Sequence, residues 1–194
     1  MTRPYAAWVG LAAAFAACAL LGWPVTREAI DWQPARAFSE PWRTLTPIGV
    51  HYSVAHLVGN LAGVALAGVG GVAAMVPTRL AWAWLAAWPL THLGLLVRPE
   101  LQHYGGLSGV VHAGIAIIVV WVLATGRTLA QRVVGVAVAI ALGAKLMSEA
   151  PWGATLRQPA GWDITVAPLV HTTGALAGAL CALVALATLR FRPA

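Results

Sequence analysis

Gly105-Gly106-Leu107-Ser108-Gly109 opens a run of apolar residues that is long enough to cross a lipid bilayer. Glycines let a backbone bend or pack closely around a small side chain, and an ordinary apolar helix has no packing reason to hold a hydroxyl among them. His171 stands at the corresponding end of the last apolar segment. Ser108 and His171 together indicate a serine hydrolase whose site lies inside a membrane.

The composition is typical of an integral membrane protein. Of the 194 residues, 60% are hydrophobic and 9% are charged, and the mean hydropathy is +0.77, whereas a soluble domain carries about 25% charged residues. The length fits a single membrane domain over residues 1–194. The net charge of +6 comes from basic residues scattered singly between apolar segments. Such scatter does not form a phosphate-binding stripe, so the expected surroundings are membrane lipid and no nucleic acid.

Six segments approach the roughly 20 apolar residues that cross a bilayer core. We therefore predict an all-α membrane protein with a bundle of six transmembrane helices. The predicted spans are about 6–24, 48–74, 79–97, 107–125, 130–148 and 167–189. The loops after the second and fourth spans are short, and the other loops are longer.

The distribution of charge predicts that both termini are cytoplasmic. The positive-inside rule counts Lys and Arg near short loops. One side of the predicted bundle carries the short loops, no acidic residue and six arginines: Arg3, Arg79, Arg127, Arg132, Arg190 and Arg192. All acidic residues of the chain fall towards the other side.

Polar residues gather at one depth of the predicted bundle. Spans two, four and six begin at the outer surface, and their first turns carry His51 and His56, Ser108 and His112, and His171. Polar and ionisable side chains are costly inside a bilayer and are usually functional or paired, so this convergence indicates a site. His51 is nearest the surface and is expected to be interfacial. Taken singly, Ser108 can be a small residue at a helix contact and His171 a hydrogen-bonded structural histidine, and both alternatives stay open.

His56 and Asn60 lie one helical turn apart and share a face of the second span. Both side chains can donate hydrogen bonds to a developing oxyanion; the alternative is an interhelical hydrogen-bonding pair. His112 lies one turn below Ser108, where it can stack on His171 or compete with it as a base, and we favour packing.

Two glycines share the helix face of His171. Gly174 and Gly178 follow it at i+3 and i+7, and small residues let a second helix approach closely, which can bring His171 within reach of Ser108. No Asp or Glu occurs in the centre of a predicted span. The sequence therefore predicts a Ser–His dyad with no carboxylate to orient the histidine, in which a neutral His171 acts as general base and then as general acid.

Four stretches resemble the rhomboid intramembrane serine proteases. The stretch His51-Tyr-Ser-Val-Ala-His56-Leu-Val-Gly-Asn60 is similar to their second helix, and Gly106-Leu107-Ser108-Gly109 is similar to their nucleophile motif. His171 with Gly174 and Gly178 resembles their sixth helix. Trp42-Arg43 resembles a Trp-Arg pair in their first loop. The resemblance extends over about residues 40–192. It implies a nucleophilic Ser108, His171 as base, and an oxyanion site formed by His56, Asn60 and the Ser108 backbone N–H.

Within that family, Gly106-Leu-Ser108-Gly-Val-Val-His112 and the short chain are most similar to the rhombosortase subgroup. The resemblance implies that His112 packs beside His171. It also implies that the substrates are exported bacterial proteins with a C-terminal Gly-Gly motif, an apolar helix and a basic tail. Such a tail is removed at the periplasmic side of the inner membrane.

Two other classes of function are alternatives for this sequence. An inactive rhomboid-like protein that binds membrane clients is the main alternative, although intact Ser108 and His171 argue against it. A metal- or haem-binding protein could use His56, His112 and His171, but their spacing forms no recognisable ligand set. No metal ion or cofactor is therefore expected.

Overall fold

The computed structural model describes residues 4–190, and within this range the chain forms a helical bundle. Seven α-helices follow one another in the order α1 Pro4–Gly22, α2 Arg27–Ile30, α3 Val54–Ala73, α4 Thr78–Leu93, α5 Ser108–Thr125, α6 Leu129–Ser148 and α7 Pro168–Arg190. Arg3 and Arg192, which contribute to the predicted orientation, lie outside the described residues.

Five of the helical segments are long and apolar enough to cross a membrane, which makes the chain a multi-pass membrane protein. They are Val54–Ala73, Thr78–Val97, Ser108–Thr125, Leu129–Ser148 and Pro168–Thr188. The first predicted span corresponds to α1, in which the apolar segment Ala6–Gly22 is shorter. The six-span count and the cytoplasmic placement of both termini stay predictions.

The second span begins later than the sequence predicted. Residues from Pro41 to Gly49 form two short 3₁₀ turns, each with a proline in its first turn, and α3 starts only at Val54. Ser53 caps this helix, because its hydroxyl accepts a hydrogen bond of 3.0 Å from the His56 backbone N–H. The cap places His56 in the first turn of α3.

The helices differ in how deeply they are buried. α5 packs most extensively against α7 and also contacts α3, α4 and α6, and half of its residues are buried. In α6, which lies wholly within the described chain, Gly135 is the only buried residue. The nucleophile candidate Ser108 therefore stands on the central helix, and α6 lies at the periphery.

Candidate active site

Ser108 is the first residue of α5 and follows a tightly folded loop. Gly106 has a φ of +143°, a conformation that favours glycine, and a Cβ built there would lie 3.1 Å from His56 Nε2. The loop is held from both sides, since the Gly106 N–H donates to Pro47 O at 2.9 Å and the Tyr104 hydroxyl donates to Gly106 O at 3.1 Å. These contacts fix the chain immediately before Ser108.

The structure brings Ser108 and His171 together across the contact between α5 and α7. The Ser108 Oγ lies 2.9 Å from the His171 Nε2, and His171 is 7% exposed. Glycines make this approach possible. A Cβ on Gly174 would collide with the carbonyl oxygen of Gly109, and a Cβ on Gly178 would lie 2.7 Å from the Cα of Ala113.

His112 packs beside the pair and does not replace His171 at the hydroxyl. Its ring stacks on that of His171, with centroids 4.3 Å apart and an interplanar angle of 18°. Its Nδ1 lies 2.7 Å from the Ser108 carbonyl oxygen, which can only accept a hydrogen bond, so this nitrogen carries a proton. The sequence left open whether His112 stacks on His171 or competes with it as a base, and the observed geometry is that of stacking.

His56 and Asn60 are both buried on α3, at 8% and 5% exposure. The Nδ2 of Asn60 has no hydrogen-bond partner among the described residues. The Nδ1 of His56 accepts from the Tyr52 backbone N–H at 3.4 Å, which leaves Nε2 to carry the proton in the neutral ring. Two donors are thus available beside Ser108, as an oxyanion site requires.

A carboxylate does contact His171, and the predicted absence of one is wrong. The Glu149 Oε2 lies 2.6 Å from the His171 Nδ1. Glu149 follows the last residue of α6. It therefore lies outside the centres of the predicted spans, where the sequence has no Asp or Glu. Ser108 and His171 lie in the first turns of α5 and α7. The last residues of α6 lie at the same end of the bundle, and this is where Glu149 contacts His171.

His51 is buried within the protein, at 2% exposure, and its depth relative to the membrane interface stays a prediction. Its ring lies 4.8 Å from that of His56, in the segment that precedes α3. Burial lowers the pKa of His51 to about 4, and the nearby Gly49 backbone offsets only part of this effect. His51 is therefore neutral near pH 7 and belongs to the packing behind His56.

Two cavities meet at the Ser108–His171 pair. The larger, of about 550 Å³, lies between α3 and α6 and is lined by His56, Asn60 and Glu149 together with the pair. The smaller, of about 220 Å³, is lined by residues of the 98–106 and 149–166 loops and by the same pair. Both cavities are therefore lined in part by Ser108 and His171.

Comparison with known proteins gives one family. The family model described as "Rhomboid domain" matches residues 39–188, a range that contains α3 to α6 and all but the last two residues of α7 and excludes α1. No curated protein matches the chain. The matched range contains each of the candidate site residues described above.

Proposed function

This chain belongs to the rhomboid family, and on that basis we propose that it is an intramembrane serine protease in which Ser108 is the nucleophile and His171 the general base. The observation that carries the proposal is the 2.9 Å contact between Ser108 Oγ and His171 Nε2. A serine hydroxyl needs a base within hydrogen-bond reach to become a nucleophile. This hydrogen-bond contact lies at one end of the glycine-mediated packing of α5 against α7. The packing of the two helices therefore sets the distance between the two side chains.

The proposed reaction proceeds through an acyl-enzyme. Ser108 Oγ attacks the scissile carbonyl carbon while its proton moves to His171 Nε2, and the carbonyl electron pair moves onto the oxygen. His56, Asn60 and the Ser108 backbone N–H stabilise this oxyanion. Collapse of the intermediate breaks the C–N bond, and His171 gives its proton to the leaving amine.

We further propose that the substrate helix reaches Ser108 from the lipid between α3 and α6. The 550 Å³ cavity lies between these helices, and Gly59 and Gly63 line it on α3. A helix exposes no scissile carbonyl until its backbone opens, and a Gly-Gly pair favours that opening because glycine has the least helix propensity of the residues other than proline.

The proposed substrates are exported bacterial proteins that end in Gly-Gly, an apolar helix and a basic tail, as in the rhombosortase subgroup. What supports this class is the motif Gly106-Leu-Ser108-Gly-Val-Val-His112 and the position of His112 against both Ser108 and His171. The proposed location is the bacterial inner membrane, with the site on the periplasmic side. Transfer of the acyl group to an amine would make the reaction sorting, and transfer to water would make it proteolysis.

The test is co-expression with a tagged membrane reporter that ends in Gly-Gly, an apolar helix and a basic tail. Wild type is expected to remove the tail, and Ser108→Ala and His171→Ala are expected to leave it intact. The mass of the reporter that has lost its tail then separates a free carboxylate, formed by water, from an amide, formed by an amine acceptor. A serine-directed fluorophosphonate probe should label wild type and not Ser108→Ala.

The probe also separates the protease from its alternative. A folded wild type that cleaves no reporter but is labelled at Ser108 is a protease with another substrate class. A folded wild type that is neither active nor labelled is a client-binding protein, and the proposed function is then wrong.

A further inference from the structure

Glu149 lies against the candidate base on the side away from the nucleophile. Its Oε2 is 2.6 Å from His171 Nδ1, while His171 Nε2 is 2.9 Å from Ser108 Oγ. Three side chains from α5, α7 and the end of α6 thus form a continuous line of hydrogen bonds. The side chain of Glu149 is 21% exposed and that of His171 is 9% exposed.

The chemistry of the partners assigns the protons in this line. An ionised carboxylate only accepts hydrogen bonds, so the His171 Nδ1 must carry a proton. In the neutral ring the Nε2 then holds a lone pair, and the Ser108 hydroxyl donates to it. This is the tautomer that a general base needs in order to take the hydroxyl proton.

The carboxylate of Glu149 is itself held in place. Lys145 Nζ, one turn earlier on α6, lies 2.6 Å from Glu149 Oε1 and 3.4 Å from His171 Nδ1. Burial raises the pKa of Glu149, but the hydrogen bonds and charges of His171 and Lys145 outweigh burial and lower the pKa to about 2. Glu149 is therefore ionised near pH 7.

The following loop fixes the backbone at this point. Arg157 Nη1 donates to the carbonyl oxygens of Glu149 at 2.7 Å and of Ser148 at 3.2 Å. The backbone of Arg157 pairs in turn with Val166, through N–H···O bonds of 2.9 and 2.7 Å. The last carbonyls of α6 are thereby satisfied, and Glu149 is anchored independently of its side chain.

We propose that Glu149 is a positioning residue that completes a Ser108–His171–Glu149 triad. This inference rests on the proposed protease function and adds a residue to the site. Glu149 holds His171 in the Nδ1–H tautomer and stabilises the imidazolium that forms when the Ser108 proton moves to Nε2. The proton stays on His171 until the leaving amine takes it, and Glu149 remains a carboxylate throughout.

A purely structural role makes a different prediction. If Glu149 only tied the end of α6 to α7, a neutral side chain of the same shape would preserve most of its effect. Glu149→Gln keeps a hydrogen-bond acceptor for Nδ1–H and removes the charge. The variant therefore separates electrostatic positioning from simple attachment.

The experiment measures kcat and KM for reporter cleavage by the full-length protein in detergent, with the rate of fluorophosphonate labelling of Ser108 as a second readout. For Glu149→Gln we expect kcat to fall roughly 10²- to 10⁴-fold, because loss of the orienting carboxylate in a serine protease triad costs up to about 10⁴. KM should stay within about threefold, and labelling should slow in parallel with kcat. Glu100→Gln, at an exposed glutamate of the 98–106 loop, is the matched control.

A loss of kcat smaller than about tenfold, or a loss that falls on KM alone, overturns the triad. If Glu149→Gln does not yield folded protein, Glu149→Asp takes its place: its shorter side chain withdraws the carboxylate from Nδ1, and the same tenfold limit applies. Failure of the proposed function looks different, since wild type would then escape labelling or Ser108→Ala would still cleave.

Discussion

The contact between α5 and α7 and the contact between α5 and α6 are built in opposite ways. Along the first, glycines bring the two backbones together, so that a Cβ on Gly174 would collide with the carbonyl oxygen of Gly109. Along the second, Gly135 is the only residue of α6 that is buried, and its nearest neighbour is the side chain of Val122. One contact is rigid backbone against backbone, and the other is a narrow side-chain contact.

This difference divides the candidate site into two parts. Ser108 and His171 belong to the rigid contact, so their 2.9 Å separation is fixed by the packing of two helices. Glu149 directly follows α6, which also forms one wall of the 550 Å³ cavity. The side on which a substrate helix is proposed to arrive is therefore the side with the least packing, and the distance between the nucleophile and the base is set by the other contact.

The largest expected effect comes from breaking the rigid contact. Gly174→Ala adds a Cβ that must push α7 away from α5, because its neighbour is backbone, and such overpacking typically costs 1–3 kcal/mol or more. We expect Ser108 and His171 to separate, reporter cleavage to fall about 10²-fold or more, and the protein to melt at a lower temperature.

Gly143→Ala is the matched control for this change. A Cβ on Gly143 of α6 has no neighbouring atom within 4 Å among the described residues, so cleavage and melting temperature should stay as in wild type. If Gly174→Ala keeps wild-type activity, the contact between α5 and α7 does not position Ser108 and His171.

An intermediate effect is expected from removing the negative charge of Glu149, which links the α6 side of the site to His171. The carboxylate of Glu149 is faced by His171 from α7, Lys145 from α6 and His112 from α5, while Arg157 from the loop donates to the Glu149 backbone carbonyl. Burial raises its pKa, but the hydrogen bonds and charges of His171 and Lys145 lower it to about 2, below the ordinary value of 4.5. A carboxyl group with a lowered pKa stabilises the fold above its unfolded pKa, and this contribution disappears as the pH falls towards the folded pKa.

The measurement is the unfolding free energy of wild type and Glu149→Gln in detergent at several pH values. We expect wild type to be more stable by about 1–3 kcal/mol between pH 8 and pH 5, after allowing for the partial exposure of the carboxylate. The difference should shrink between about pH 4.5 and pH 2. A difference that is constant down to pH 2, or that the control Glu100→Gln reproduces, would contradict the role assigned to the ion pair.

The rigid part of the site was predictable from the sequence, because its signals are local. Ser108 is marked by the surrounding glycines, and His171 by Gly174 and Gly178 on its own helix face. Each of these signals lies within two helical turns of the residue it identifies. Periodicity and small-residue spacing therefore suffice to predict which face of α7 meets α5.

The peripheral part was not predictable in the same way. Glu149 reaches His171 from a helix end that lies 22 positions earlier in the chain, and no local pattern shows which loop closes over which helix. A usable signal did exist in the sequence. Lys145 lies near the end of the fifth predicted span and Glu149 directly follows that span, on the same side of the bundle as Ser108 and His171. The burial of His51 likewise comes from the folding of the segment before α3, which hydropathy alone does not predict.

The smallest expected effect comes from the close approach of α6 to α5 at Gly135. A Cβ on Gly135 would lie 2.8 Å from Val122 Cγ1, and because that neighbour is a side chain, α6 can shift slightly at a cost of about 1 kcal/mol. We expect kcat to fall less than about fivefold, because a slight shift of α6 displaces the positioning carboxylate that follows it but moves neither Ser108 nor His171. The loss should act through Glu149. Combining Gly135→Ala with Glu149→Gln should then lower kcat no further than Glu149→Gln alone, whereas additive losses would show that α6 acts on Ser108 and His171 by another route.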